Sequence, residues 1–136
     1  MSLFNVFQIS SSAMSAQALR LNTVASNLAN VDTIHASDGK PYRSRQVVFQ
    51  ATPMGGAGEA AQGVRVTQIV ESAAPPRIVY DPANPLADAQ GYVTMSNVDA
   101  VEEMVNMISA SRGYQTNVEV MNTAKQMLTR ALQIGQ

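Results

Sequence analysis

Two segments with helical periodicity enclose a middle stretch whose apolar residues alternate as they do in strands. Residues 1–31 contain neither glycine nor proline, and their apolar side chains recur at the four- and three-residue spacing of a heptad. The recurring positions are Phe7, Met14, Ala18, Leu21, Ala25 and Leu28. This pattern predicts a first helix with a narrow apolar seam. The serines at 10–12 are suited to cap its start, which would leave the first ten residues as a separate turn or a mobile lead.

A second proline-free segment, 97–132, predicts a helix about 50 Å long at roughly 1.5 Å per residue. One apolar stripe consists of Val98, Val101, Val105 and Ile108, and Tyr114, Val118, Met121, Leu128 and Leu132 continue it. Ser96 or Asn97 is suited to cap this helix. Gly113 costs about 1 kcal/mol relative to alanine inside a helix, so we expect either the close approach of another backbone or a local bend there.

The middle of the chain holds all six prolines and six of the eight glycines. Segments 42–50 and 64–71 are rich in β-branched residues and predict a hairpin, which a long glycine-rich loop around 55–58 connects. Two further short strands are predicted at 77–80 and 91–95, with a turn signalled by the prolines between them.

The order of these elements predicts an α+β fold. We expect long N- and C-terminal helices that pair as a coiled coil, with a small β-rich middle segment projecting from them. The corresponding boundaries are 1–34 for the N-terminal helix, 35–96 for the middle segment and 97–136 for the C-terminal helix. An isolated two-helix pair buries little apolar surface, so packing against other chains would complete its core.

The polar surface is unusual because nine asparagines and eleven glutamines outnumber the 19 charged side chains. Arg20 is the single charged residue in the first 31 positions. Asn22, Asn27 and Asn30 carry amides, which can be buried in hydrogen-bonded positions without the desolvation cost of a charge. Two interpretations remain open: a helix with several faces against other helices, or a helix pair within one chain whose polar face is simply uncharged.

Composition excludes several classes of function. The formal net charge is −1, so there is no basic excess for a nucleic-acid backbone. The chain has no cysteine and one histidine, His35, which excludes thiol chemistry and multi-histidine metal sites. We therefore expect no metal, no cofactor and no small-molecule substrate. The N-terminus lacks the pattern of a cleavable secretory signal, and no apolar run is long enough to span a membrane.

Specific motifs at both ends resemble those of the axial flagellar proteins, the family of rod, hook and related subunits. Residues 20–30 read RLNTVASNLAN and, with Asp32 and Thr33, resemble the N-terminal signature of that family. Residues 97–106 and 109–125 resemble its C-terminal signature. Stretches at 38–43, 46–49 and 84–89 extend the resemblance to the short rod subunits, which lack a large inserted domain.

The resemblance implies a structural subunit of the bacterial basal-body rod, located in the periplasm and exported without a cleaved signal through the flagellar type III apparatus. Such a subunit polymerises through its terminal helices into a hollow drive shaft that transmits torque and continues the export channel. The implied partners are copies of itself, other rod subunits, the rod-to-ring adaptor protein and, during secretion, the export apparatus.

The predicted helix seam supplies the candidate interface residues. We expect Met14, Leu21, Ala25 and Leu28 to pack against Val118, Met121, Leu128 and Leu132, with Asn22, Asn27 and Asn30 making polar contacts within or between subunits. An open helical assembly needs heterologous contacts, in which different patches of neighbouring subunits meet, and such helices can supply them.

Two rival classes of function are weaker. A cell-wall hydrolase would need two carboxylates held about 5 to 9.5 Å apart, and the best candidates, Asp81 and Asp88, flank a turn without a catalytic spacing. An adaptor or chaperone would bind rod subunits without joining the shaft, and its absence from purified basal bodies would identify it.

Overall fold

The fold places one long helix at each end of the chain and two small β-sheets between them. The computed structural model describes residues 3–35, 39–54 and 61–134. The elements in chain order are α1 (Leu3–Ala29), β1 (Arg45–Pro53), β2 (Gln62–Glu71), β3 (Arg77–Tyr80), β4 (Tyr92–Met95) and α2 (Ala100–Ile134). This order confirms the α+β class and the two terminal helices. Coiled-coil geometry in their pairing stays a prediction.

The two helices lie antiparallel. Asn27 of α1 bonds to Glu103 of α2, and Gln17, ten residues earlier on α1, lies against Gly113, ten residues later on α2. Since each residue adds about 1.5 Å along either helix, the described start of α1 at Leu3 is level with about residue 127 of α2. The last turns of α2, which end at Ile134, therefore extend beyond the described start of α1.

The serine cluster in α1 does not start the helix, contrary to the prediction of a cap at 10–12. The helix begins at Leu3 and runs through all three serines without interruption. Ser12 bonds to its own helix instead, because its hydroxyl donates to the carbonyl of Ile9 at 2.7 Å. The same oxygen accepts a hydrogen bond from the Val64 amide at 3.1 Å, so it joins α1 to β2.

The capping residue of α2 is Asp99, and the prediction of Ser96 or Asn97 is wrong. Oδ1 of Asp99 accepts hydrogen bonds from the amides of Val101 and Glu102, at 2.9 and 3.3 Å. Ser96 and Asn97 are instead engaged with other segments. The Ser96 hydroxyl donates to the Val31 carbonyl at 2.6 Å. Oδ1 of Asn97 accepts a hydrogen bond from the Ser44 amide, and its Nδ2 donates to the Ala74 carbonyl.

Each sheet contains two antiparallel strands: the predicted hairpin is present, and the two further predicted strands pair with each other. β1 pairs with β2 from Arg45 opposite Glu71 to Pro53 opposite Gln62, with one extra residue in β2, Thr67, forming a bulge. β1 begins three residues later than predicted and continues three residues further. The loop predicted around 55–58 lies outside the described residues. β3 pairs with β4, and the rings of Tyr80 and Tyr92 meet edge to face with centroids 5.2 Å apart.

The apolar core of the single chain is thin. Among the described residues, every fully buried apolar side chain is alanine or valine: Ala16, Val24, Ala61, Val93, Val98, Ala110 and Ala124. The accessible surface is 9169 Å², whereas a compact protein of the same mass exposes about 6,900 Å². The fold is therefore open, and much of its apolar surface still faces solvent.

Two glycines lie where α1 meets another element. A Cβ built on Gly63 of β2 would collide with the Met54 side chain and with Ser12 Oγ, so β2 approaches α1 only because residue 63 lacks a side chain. A Cβ on Gly113 would come within 3.2 Å of Nε2 of Gln17. The close approach expected at Gly113 is thus made by a side chain, and α2 continues through the position.

These contacts predict opposite effects for two matched substitutions. Gly63→Ala should lower the free energy of unfolding by about 1–3 kcal/mol, because the new methyl group overpacks the α1–β2 contact. Gly113→Ala should raise it by up to about 1 kcal/mol, because alanine favours the helix and the flexible end of Gln17 can move. Chemical denaturation of the two purified variants measures both changes. A loss of stability in Gly113→Ala equal to that in Gly63→Ala would contradict this account.

Candidate assembly interface

The side-chain amide of Asn27 lies at the centre of a buried polar network that joins α1, β1 and α2. The residue is 0% exposed. Its Nδ2 donates to the Arg45 carbonyl and to Oε1 of Glu103, both at 2.8 Å. Its Oδ1 accepts from the Arg45 amide at 2.9 Å and from the Tyr42 hydroxyl at 3.0 Å. Both hydrogens and both lone pairs of this amide are therefore used.

Glu103 is the acidic member of the network and is buried on the face of α2 that contacts α1. Its exposure is 5%, and Oε1 also lies 3.4 Å from the Ser44 hydroxyl, which donates to it. Burial raises the pKa of this carboxyl above its ordinary value of 4.5, and the neighbouring Glu102 charge adds to the rise. Hydrogen bonds from Asn27 and Ser44, with the charge of Arg20, act in the opposite direction.

The three asparagines singled out in α1 have different surroundings. Asn27 is the network centre. Asn30 lies at the end of the helix, where its Nδ2 donates to the Ser26 carbonyl at 2.8 Å and its Oδ1 accepts from Thr33 at 3.1 Å. Asn22 is exposed. Asn27 and Asn30 thus make contacts within the subunit, and contacts of Asn22 with other chains stay a prediction.

The seam residues predicted in α1 and those predicted in α2 do not all lie at the same height along the antiparallel pair. Leu21 and Leu28 are half-buried but lie level with the first half of α2, far from Met121 and Leu128. Met121, also half-buried, shares an apolar groove with Phe7 and Met54. The remaining members are half-buried (Met14, Val118 and Leu128) or exposed (Ala25 and Leu132). Packing of the two predicted sets across neighbouring chains stays a prediction.

An exposed apolar stripe covers the first turns of α2 on the side away from α1. We call Val101, Met104, Val105 and Ile108 the outer face; their exposures range from 55% to 71%. Their spacing of three and four residues places them on one side of the helix. The buried residues of α2, which are Glu103, Ala110 and Ala124, recur every seven or fourteen positions on the opposite side.

A second exposed apolar region lies where α2 extends beyond α1. Leu132 is 72% exposed and Ile134 is 87% exposed. Phe4, near the described start of α1, is 72% exposed. The two exposed regions of α2 lie near opposite ends of a helix of 35 residues, so they are about 40 Å apart.

The residues that the sequence offered for chemistry hold a turn or are exposed. Oδ1 of Asp88 accepts from the amides of Gln90 and Tyr92, both at 2.9 Å, and so holds the turn before β4. His35 is exposed in the segment after α1. Within 3–35, 39–54 and 61–134, no group of three or more histidine or acidic side chains could hold a metal ion. The described helices also include none with the length and apolarity needed to cross a membrane.

Sequence reasoning missed Glu103, Tyr42 and Ser44 as members of the network. Glu103 lies in the first turn of α2, where an acidic side chain also complements the helix dipole from an exposed position. The available signal was its position, because Glu103, Ala110, Asn117 and Ala124 follow one another at intervals of seven residues. A charged residue in register with small core residues indicates a buried acid with a polar partner.

Comparisons with known proteins agree at both ends of the chain. A family model described as flagella basal body rod protein matches residues 7–34, and one described as flagellar basal body rod FlgEFG protein C-terminal matches residues 89–134. Two relatives named flagellar basal-body rod protein FlgC, from Escherichia coli O6:H1 and Salmonella typhimurium, are 57% and 56% identical over the full length of both chains. A relative of the same name from Bacillus subtilis is 41% identical over 99% of each chain.

The hydrogen bonds of Asn27 predict a large effect for one matched pair of substitutions. Asn27→Asp removes both donors and places a second carboxylate against Glu103, so it should lower the free energy of unfolding at neutral pH by about 3–5 kcal/mol. Asn22→Asp, the same change at an exposed position of α1, should alter it by less than about 0.5 kcal/mol. Denaturant titration of both purified variants is the measurement, and equal effects would exclude the network as the source of stability.

The raised pKa of Glu103 predicts a pH dependence of folding. The folded chain holds this proton more tightly than the unfolded chain, so the contribution of Glu103 to stability is fully present below pH 4.5 and is lost as the pH rises through the folded pKa. Glu103→Gln keeps the acceptor for Asn27 and removes the titration. The stability of the wild type relative to Glu103→Gln should therefore fall with rising pH and then become constant. A difference that grows with pH would reverse the sign of the predicted shift.

Proposed function

The chain belongs to the FlgC family of flagellar basal-body rod proteins, so it is a structural rod subunit and not an enzyme, and we propose that its terminal helices make the contacts that build the rod. As a member of that family it assembles with other basal-body proteins in the flagellum.

The outer face of α2 is the observation that supports this proposal most strongly. Its four large side chains are each more than half exposed, while the apolar core of the same chain contains only alanine and valine among the described residues. Burial of each such side chain contributes about 1.5–3 kcal/mol. A contact that covers the outer face therefore offers several kcal/mol of apolar stabilisation that the single chain lacks.

The extension of α2 beyond α1 supports a heterologous mode of assembly. Leu132 continues the side of α2 that faces α1, but no described part of α1 reaches it. A neighbouring subunit that covers Leu132 would extend the helix pairing from one chain to the next. A heterologous contact between two such different surfaces builds an open helical assembly when the rotation between neighbours does not close a ring.

Assembly of the terminal helices also determines what the subunit does in the rod. The helices of many subunits form a hollow drive shaft that transmits torque and continues the export channel. The partners are copies of this chain, other rod subunits and the rod-to-ring adaptor. The chain travels through the flagellar export apparatus without a cleaved signal and assembles in the periplasm. Its nearly uncharged first helix and the exposed apolar surfaces of α2 are suited to burial in such an assembly.

Charge on the outer face should block assembly without unfolding the subunit. Val105 is 62% exposed, so Val105→Asp should change the free energy of unfolding by less than about 0.5 kcal/mol. The same change places a carboxylate in the proposed contact, which should reduce incorporation into basal bodies at least about tenfold, the effect of roughly 1.4 kcal/mol. Immunoblots of purified basal bodies and spreading in soft agar measure this effect.

Val105→Leu is the matched control because it keeps an apolar side chain at the same position. Cells that carry it should build basal bodies and swim at the wild-type level. Normal incorporation of Val105→Asp would exclude the outer face as an assembly surface. Absence of the wild-type chain from purified basal bodies would favour an adaptor or chaperone that does not join the shaft.

A further inference from the structure

A pocket of about 260 Å³ lies where α1, α2 and β1 meet. Its volume is several times the roughly 30 Å³ that one water molecule occupies in the liquid, so it has room for a side chain. Arg45, Gln46 and Glu102 line it and are exposed, while Glu103 lines it and is buried. Solvent-exposed residues and a residue with a buried carboxyl group thus line the same pocket.

One acceptor beside this pocket has no donor among the described residues, although groups that could donate line it. Both of its guanidinium groups already have partners, since Arg45 pairs with Glu71 at 3.3 Å and Arg20 donates to Oδ1 of Asn106 at 3.0 Å. Oε1 of Glu103 is also engaged, with Asn27 and Ser44. Oε2 of Glu103 is buried and has no hydrogen-bond partner in the structure.

An unpaired oxygen on a buried carboxyl group is unfavourable. Buried polar atoms in folded proteins are almost always hydrogen-bonded, and the cost is greatest when the group is charged. The carboxyl groups of Glu102 and Glu103 line the pocket together with the guanidinium groups of Arg20 and Arg45, but neither guanidinium is bonded to Oε2. A donor that carries a positive charge would satisfy Oε2 best, because hydrogen bonds between charged groups are stronger than those between neutral ones.

The position of the pocket indicates where that donor comes from. Glu102 follows Val101 in α2 and lies one turn from Val105, so the opening of the pocket adjoins the outer face. A subunit that covers the outer face is therefore beside the pocket. Resting on the proposed role of the outer face, we propose that the pocket receives a lysine or arginine side chain of a neighbouring rod subunit, which donates to Oε2 of Glu103.

The first test compares glutamine substitutions that differ only in position. Glu103→Gln retains the acceptor for Asn27 but loses the charge and the free oxygen, so incorporation into basal bodies should fall about tenfold or more, as expected for loss of one hydrogen bond to a charged group. Glu119→Gln makes the same change at an exposed position of α2 outside the pocket, and it should assemble normally. Glu102→Gln, at an exposed position, should give a smaller loss without a risk to folding.

The second test identifies the occupant. The chain has no cysteine, so Gln46→Cys provides one unique thiol at the pocket for a benzophenone photo-crosslinker. In purified basal bodies, we expect cross-links to a segment of a neighbouring subunit that contains lysine or arginine, and Glu103→Gln should reduce their yield. Cross-links to a segment without a basic residue would overturn the proposal, and would indicate a neutral donor or, with Glu103 protonated, a carbonyl acceptor.

The outcomes separate this inference from the proposed function. Normal assembly of both Glu103→Gln and Glu102→Gln overturns the pocket proposal, while presence of the wild-type chain in basal bodies still supports the rod role. If the wild-type chain is absent from basal bodies, both proposals fail. Circular dichroism and denaturation of each purified variant distinguish an assembly defect from misfolding, and an assembly loss explained entirely by misfolding in both variants also overturns the proposal.

Discussion

One buried amide determines how the three main elements of this chain are arranged. Asn27 supplies four hydrogen bonds from a single position of α1, and its partners belong to the segment that leads into β1, to β1 itself and to α2. Each bond requires a particular rotation and height of the helix, so together they select one register for α1 against α2. Apolar contacts alone would select it weakly, because alanine and valine side chains offer little shape to distinguish one register from the next.

The same register determines which surfaces remain for other chains. With Glu103, Ala110 and Ala124 directed towards α1, the outer face of α2 is directed away from it. The Asn27 network therefore acts twice: it holds the subunit together, and it orients the apolar stripe that the subunit presents to its neighbours. A thin core and an exposed stripe are typical of a chain whose stability depends on assembly.

Much of this arrangement could be predicted from the sequence because periodicity is a local property. The heptad spacing of α1 and the proline-free stretch of α2 predicted both helices. The pattern of the middle segment predicted the β1–β2 hairpin and the strands β3 and β4, but not that β3 and β4 pair. The offset between the helices could not be predicted, because the spacing of Leu21 and Leu28 indicates a helical face but not the height of its partner. Asp99 caps α2 in place of Asn97, because Asn97 forms hydrogen bonds with residues 23 and 53 positions away in the chain. The local sequence pattern does not indicate contacts between residues so far apart.

The unequal lengths of the two helices have a geometrical consequence. α1 has 27 residues and α2 has 35, and the additional turns of α2 project from one end of the antiparallel pair. The helix pair is thus level at one end, whereas α2 protrudes at the other. A column in which every copy points the same way then has two chemically distinct tips. Addition of a subunit at one tip covers a protruding helix, whereas addition at the other inserts one, so the column has an inherent polarity of growth.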